Sequence, residues 1–321
     1  MTEPLMTVSN QGLSITSTEI AEAISKKKLS PSLITSLESC PAQWVAGSYV
    51  LPKIIEEDDD NAKTRGSLFH KVMEIVFERD PEVRTREFIT ETAKKVVQND
   101  PNFSHFAGNE EAWAWLMNAV DGYYRMGGRP QKVQIAEYHK KGDKAPKKGL
   151  EIFVKGNLGG AERDTLGFID RLSVDRKNEK AVVIEDWKSG SKAKVWNPNT
   201  KNTDGLSEAR QQIIYSMLLK QDGVEVSGAR LIYPVAETVV DVDINNKELN
   251  EKILRDIKET DESLTTMIET NLFEFKPNSF CSWCPLYAIC PRPMKANYEK
   301  GRIAARSQPT IDVLAKGFDF V

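Results

Sequence analysis

Between residues 133 and 187 the sequence changes character. Helical spacing gives way to short β-rich runs at 133–138, 150–155, 165–175 and 181–187, separated by Gly, Lys and Asp turns. Two of these runs carry carboxylates beside apolar stretches. They are Gly167-Phe168-Ile169-Asp170, and Ala181-Val182-Val183-Ile184 leading into Glu185-Asp186-Trp187-Lys188. Side chains on a strand alternate with period two, so Asp186 and Lys188 share a face. A β-hairpin would bring Asp170 close to both. Two carboxylates and a lysine grouped in this way can bind a divalent metal and position a water. The competing reading is a set of strand-end charges facing solvent, the commoner fate of Asp and Lys.

The elements on either side frame these runs. Ser30-Pro31-Ser32 can cap a helix with Pro at its first position, followed by Leu33, Ile34 and Leu37 at helical spacing. Residues 1–30 read as a weakly ordered lead-in, and the acidic run at 56–60 as a solvated loop. From Gly66, the positions of Leu68, Val72, Ile75 and Val76 predict an amphipathic helix that ends near Arg79, with Pro81 beyond. Further helical stretches occupy 84–99 and 109–126. After the β-rich runs come a helix at 207–221, strand-like runs at 229–235 and 238–244, and a long helical segment at 247–270. This order predicts an α/β domain with a mixed central sheet flanked by helices. The helical part is expected over about 66–130 and the sheet over about 133–244, within one domain spanning 31–295. Residues 296–321 read as a tail.

Composition narrows the function classes. The chain has 321 residues, 40% apolar and 28% charged, which suits a folded protein with a substantial core. No run approaches the roughly 18 apolar residues of a membrane span, and the N-terminus lacks a basic stretch followed by an apolar one. A membrane partner is therefore not expected, and a cytoplasmic location is (that of a host cell if the source is viral). A net charge of -3 argues against coating nucleic acid by bulk charge but leaves room for a local basic groove. Two lysine clusters could supply one. The first is Lys192, Lys194 and Lys201; the second is Lys140, Lys141, Lys144, Lys147 and Lys148, which reads more readily as a solvated loop.

The four cysteines are unevenly placed. Cys281, Cys284 and Cys290 fall within ten residues, while Cys40 lies far upstream. Such clustering inside a cell favours metal ligation over disulfides. Four thiolates suit zinc or an iron–sulfur cluster. Three close cysteines, one remote ligand and Pro291 after the last look more like the iron–sulfur arrangement. That segment, 281–290 closed by Cys40, would staple the N-terminal helix to the C-terminal part and act structurally.

Taken together, these motifs resemble the RecB-like branch of the PD-(D/E)xK nucleases, the group of the AddB-type and CRISPR-associated RecB-like exonucleases. Five matches carry the resemblance, in the family's order. Gly66-Ser67-Leu68-Phe69-His70 is similar to the Gly-x-x-x-His helix, and Gly167-Phe168-Ile169-Asp170-Arg171 to the Gly-x-(Ile/Val)-Asp-Arg strand. Asp186-Trp187-Lys188-Ser189 is similar to the Asp-(Tyr/Trp)-Lys-(Thr/Ser) strand, with Ser where Thr is commoner. Gln211 and Tyr215 match a Gln-x3-Tyr helix, and the cysteines match the [4Fe-4S] ligands of a subset of the family.

The resemblance implies a restriction-endonuclease-like core and a divalent-metal-dependent DNA exonuclease, with possible endonuclease action on single-stranded or branched ends. It implies that Asp170 and Asp186 ligate Mg2+ or Mn2+ with the backbone carbonyl of Trp187, and that His70 supplies a nitrogen ligand or supports the site. Glu74, one turn after His70, is a weaker candidate. Lys188 would orient or help deprotonate the attacking water, and Gln211 and Tyr215 would contact the surroundings of the site or the DNA backbone. The setting implied is recombination, repair, or phage or CRISPR DNA processing, on single strands or ends. The chain has no Gly-x4-Gly-Lys-(Ser/Thr) phosphate loop, so a helicase would be a separate partner. A non-catalytic DNA-end-binding iron–sulfur module is the alternative.

Overall fold

A computed structural model of the chain describes residues 5–51, 62–140, 143–197, 205–279, 281, 284, 286–287 and 289–291. The acidic run at 56–60, Lys141, Lys201 and the tail 296–321 lie outside the described residues.

Along the chain the elements are β1 (Met6–Val8), β2 (Gly12–Ile15), α1 (Thr18–Ser25), α2 (Pro31–Ser39), α3 (Pro41–Val45), α4 (Ala62–Glu78), α5 (Arg86–Asn99) and α6 (Glu110–Arg125). Then come β3 (Glu137–Tyr138), β4 (Lys147–Lys148), β5 (Leu150–Gly156), β6 (Thr165–Asp175), β7 (Asn178–Trp187), α7 (Leu206–Gln221), β8 (Val226–Tyr233), β9 (Thr238–Val242), α8 (Lys247–Thr270) and β10 (Phe273–Glu274). They fall into two compact units: 1–54 with 157–165 and 254–321, and 55–156 with 166–253.

In the first unit, β1, β2 and β10 form a three-stranded sheet. Residues 6–25, which the sequence suggests are a loose lead-in, build two of its strands and a helix. The reason is long-range: Leu13 pairs with Phe273, and Asn271 exchanges hydrogen bonds with both backbone groups of Ile15. No local pattern signals a partner at that separation. Ser30 caps α2 through the backbone N–H of Leu33 at 3.1 Å, with Pro31 at the first helical position, as the sequence indicates. Cys40 stands between α2 and α3, its sulfur accepting from the N–H of Gln43 at 3.4 Å.

The second unit is built on a five-stranded sheet in the order β5-β6-β7-β8-β9. β6 and β7 form an antiparallel hairpin, β7 and β8 run parallel, and β8 and β9 are antiparallel. Parallel neighbours need a crossover, and α7 supplies it. The sheet is therefore mixed and flanked by helices, as the element order predicts. α4, α5 and α6 pack through Leu68, Val72, Val76, Ile89, Leu116 and Val120, all fully buried. The Asn109 side chain caps α6, with Glu110 and Glu111 in the first turn and Arg125 in the last, each favourable to the helix dipole.

Trp187 fixes the end of β7. Its ring lies against Phe69, Phe77 and Tyr123 at centroid distances of 5.5, 6.2 and 5.2 Å, joining the helical core. Because strand side chains alternate, seating Trp187 there sends Asp186 and Lys188 to the opposite face of the sheet. Beside it, Arg171 pairs with Glu185 at 2.9 Å, with both residues buried and the guanidinium over the rings of Phe77 and Trp187. Breaking a buried ion pair by removing one partner typically costs about 3–5 kcal/mol. Arg171→Met is accordingly expected to lower the chemical-denaturation free energy by that amount, and a loss below about 1 kcal/mol would contradict the role assigned to the pair.

Candidate active site

Four elements of the second unit converge on one pocket. α4 brings His70 and Glu74, β6 brings Asp170, the end of β7 brings Asp186, Trp187 and Lys188, and α7 brings Gln211. The two carboxylates and the lysine are not solvated strand ends. Asp186 is 3% exposed, and the side chains of Asp170 and Lys188 are 15% and 24% exposed.

Asp170 holds the centre. Its Oδ2 accepts the N–H of Trp187 at 2.9 Å and lies 3.3 Å from Nδ1 of His70. The other ring nitrogen of His70, Nε2, lies 3.0 Å from the carbonyl oxygen of Trp187. With acceptors at both nitrogens, the ring is fully satisfied only as an imidazolium. Burial lowers its pKa, but the charge of Asp170, its hydrogen bond and the charge of Asp186 together outweigh burial and hold it above the ordinary histidine value. Conversely, burial raises Asp170, and His70 with the Trp187 N–H overcomes that and holds the carboxyl low.

Asp186 behaves differently. Burial first, then the charge of Asp170, pushes its carboxyl up to about 6. The Lys188 ammonium is 2.7 Å from its Oδ2 and forms an ion pair with it. Lys188 also donates to Gln211 Oε1 at 3.0 Å, and Gln211 Nε2 donates to the Tyr215 hydroxyl at 3.1 Å. Burial works against the ammonium, but Asp186, with Asp170 and Glu208, overcomes it and keeps Lys188 protonated. Gln211 and Tyr215 thus form a chain that fixes Lys188.

The two motif glycines have steric causes. A Cβ on Gly66 would come 2.7 Å from Oγ of Ser189, and one on Gly167 would overlap the Tyr215 ring. Overpacking typically costs about 1–3 kcal/mol. Gly167→Ala is therefore expected to lower the unfolding midpoint and to disturb the Tyr215–Gln211–Lys188 chain; an unchanged midpoint would show that Tyr215 moves aside freely.

Glu151 lines the same pocket and is absent from the sequence motifs. It sits at the start of β5 with φ 48°, a left-handed conformation unusual for a non-glycine residue. Burial, then Asp170 and Glu74, raises its carboxyl to about 7. Only its position after Lys147-Lys148-Gly149, a turn signal at the head of a β-rich run, hinted at a turn there. A carboxyl raised in the fold favours the protonated native state. Stability from this group is therefore present below the unfolded value near 4.5 and lost as pH rises through about 7. Glu151→Gln should raise the stability of the metal-free protein at pH 8 but not at pH 4, by under about 1 kcal/mol because solvent still reaches the partly buried side chain. Equal shifts at both pH values would contradict this.

Of the basic clusters, Lys194 bonds Glu208 at 3.0 Å, while Lys140 pairs with Asp222 at 3.2 Å and Lys148 donates to the Glu78 carbonyl at 2.6 Å. Most of the second cluster is engaged within the fold.

A family model described as the PD-(D/E)XK nuclease superfamily matches residues 28–291. The chain belongs to the PD-(D/E)XK nuclease superfamily. No curated protein matches it. Among solved structures, a candidate exonuclease from Eubacterium rectale matches at 12% identity and a TM-score of 0.44, covering 89% of this chain and 95% of that one. PD-(D/E)XK nucleases work with divalent metals such as Mg2+. The donor set here suits such a cation: the carboxylates of Asp170 and Asp186 and the carbonyl oxygen of Trp187. Among the described residues no three His, Cys, Asp or Glu side chains are already gathered around one ion position. Asp170 and Asp186 are instead neutralised by His70 and Lys188.

In the first unit, all four cysteines line one small pocket with Gln43 and Leu286. Burial, and then the other three thiols, pushes Cys284 up to about 12. Among the described residues no helix is long and apolar enough to cross a membrane.

Proposed function

We propose that this chain is a divalent-metal-dependent DNA exonuclease, working in recombination, repair or the processing of phage or CRISPR-related DNA. The observation that carries the reading is the convergence of Asp170, Asp186 and Lys188 in one pocket, with Lys188 held charged beside a carboxylate. A water adds to the phosphorus and the bridging P–O bond breaks, leaving a phosphate monoester and a hydroxyl. Asp170, Asp186 and the Trp187 carbonyl would hold Mg2+ or Mn2+, which supplies Lewis acidity and lowers the pKa of bound water. Lys188, being protonated, stabilises the charge of the pentacovalent phosphorane and does not act as the base. Gln211 and Tyr215 orient Lys188, and His70, on losing one proton, would keep a single N–H and so free one of its two acceptors, Asp170 or the Trp187 carbonyl, for a cation.

We further propose that Cys40, Cys281, Cys284 and Cys290 bind a [4Fe-4S] cluster with a structural role. Four thiols around one pocket form a soft donor set, and thiols that ligate a cation give up their protons to do so. Any helicase acting with the chain is a separate partner. Linear and covalently closed circular single-stranded DNA, each incubated with Mn2+, test the exonuclease assignment. Degradation of the linear form alone is expected, and equal cleavage of circles would make the chain an endonuclease.

A further inference from the structure

Side chains on β6, β7 and β8 divide between two faces of the sheet. Arg171 is registered with Glu185, and Glu185 with Arg230, so these three share a face. Asp170 and Asp186, one residue along, point the other way. On the Arg171 face lie two adjoining hollows of about 480 and 580 Å³. They share Lys132, Val133, Arg176, Glu185 and Arg230, and so form one cleft.

The charges of this cleft are uneven. Arg129, Lys132, Arg176 and Lys177 stand exposed around it, with Arg230 between them and Arg171 beneath. Of its carboxylates, Glu185 is held by Arg171 at 2.9 Å and lies 3.8 Å from Arg230. Asp241 is held by Arg230 at 3.2 Å, and Asp175 accepts the backbone N–H of Lys177 at 2.9 Å. Glu179 completes the acidic set. Arg171 is 1% exposed and its Nη1 has no hydrogen-bond acceptor, so its charge is only partly answered by Glu185. Met126 and Val239, the latter 46% exposed, provide apolar surface between the cations.

Cations along a cleft with apolar patches between them match a single nucleic-acid strand, whose phosphates need positive charge and whose bases need an apolar surface. We infer that this cleft is a second nucleic-acid site, which holds the phosphodiester backbone of a single strand on the face of the sheet away from the reacting phosphate. The inference rests on the nuclease reading above and extends it. The pocket of Asp170 and Asp186 binds the bond that breaks, and the cleft retains strand that is not being cut.

The test measures binding without cutting. Full-length Asp186→Ala protein is titrated with a fluorescent oligonucleotide of about 20 nucleotides, longer than the roughly 4–16 spanned by a single-stranded groove of an OB-fold. The titration is repeated with Lys132→Glu/Arg176→Glu added, and with Lys132→Gln/Arg176→Gln as the milder pair. Both positions are exposed, and circular dichroism checks that each variant folds. The charge-reversed pair is expected to bind at least about tenfold more weakly. The slope of log K against log salt should fall by about 0.7 for each phosphate that the variant no longer neutralises. Unchanged affinity and slope in both pairs would overturn the inference while leaving the nuclease reading intact, and would turn attention to an acidic protein as the occupant. If the Asp186→Ala protein itself does not bind the oligonucleotide but wild type cleaves it, the cleft is likewise ruled out. If wild type neither binds nor cleaves, the nuclease reading has failed first.

Discussion

Asp170→Asn is expected to lower the rate of metal-dependent DNA cleavage by about 10²–10³-fold, the scale on which removing one electrostatic stabiliser acts in other enzymes. Asp170 is the hub of the pocket. It receives the Trp187 N–H, faces His70 and carries a carboxyl held below its ordinary range, so it stays charged at neutral pH. Asparagine keeps the shape and one acceptor but removes that charge. The raised pKa of His70 depends chiefly on Asp170 among the nearby charges, so the ring should lose its proton at lower pH in the variant, which NMR titration of His70 would read. A variant with full activity, or one whose His70 titrates as in wild type, would remove Asp170 from the role assigned to it.

The second large effect concerns the cysteines. Cys40→Ser is expected to abolish broad absorption near about 400 nm, the region of sulfur-to-iron charge transfer in cysteine-ligated clusters. It should also lower Tm by at least about 10 °C. Loss of a metal centre is among the few single changes worth more than about 4–5 kcal/mol, and each kcal/mol shifts Tm by about 2–4 °C at this size. Cys40 sits where α2 meets α3, while Cys281, Cys284 and Cys290 follow β10. A centre there would tie together parts of the first unit that are far apart in sequence. Protein purified anaerobically with stoichiometric zinc and no iron would contradict the cluster, and an unchanged Tm in Cys40→Ser would contradict its structural role.

Much of this was legible in the residues because the signals were local. Apolar spacing located α4 to α8, and the β-rich runs gave β5 to β9 with boundaries shifted by a few residues. Period two sets Asp186 and Lys188 together, as read from the sequence, and the structure adds why Trp separates them: its ring anchors the strand in the helical core. What escaped was non-local. β1 and β2 fold only because β10 pairs with them from the far end of the chain. Glu151 escaped because its place in the pocket depends on a left-handed backbone that no periodicity encodes. The expectation that Lys188 might deprotonate water changed for an electrostatic reason, since the neighbouring Asp186 keeps the ammonium charged.

We propose that Asp170, Asp186 and Lys188 form the metal-dependent centre of a DNA nuclease. It is tested most directly by incubating purified wild type and Asp186→Ala with DNA labelled at either the 5′ or the 3′ end, in Mn2+ and in excess chelator. Wild type is expected to release short labelled products in Mn2+ alone, with none from Asp186→Ala or in chelator. Equal degradation by both proteins, or degradation that persists in chelator, would contradict it.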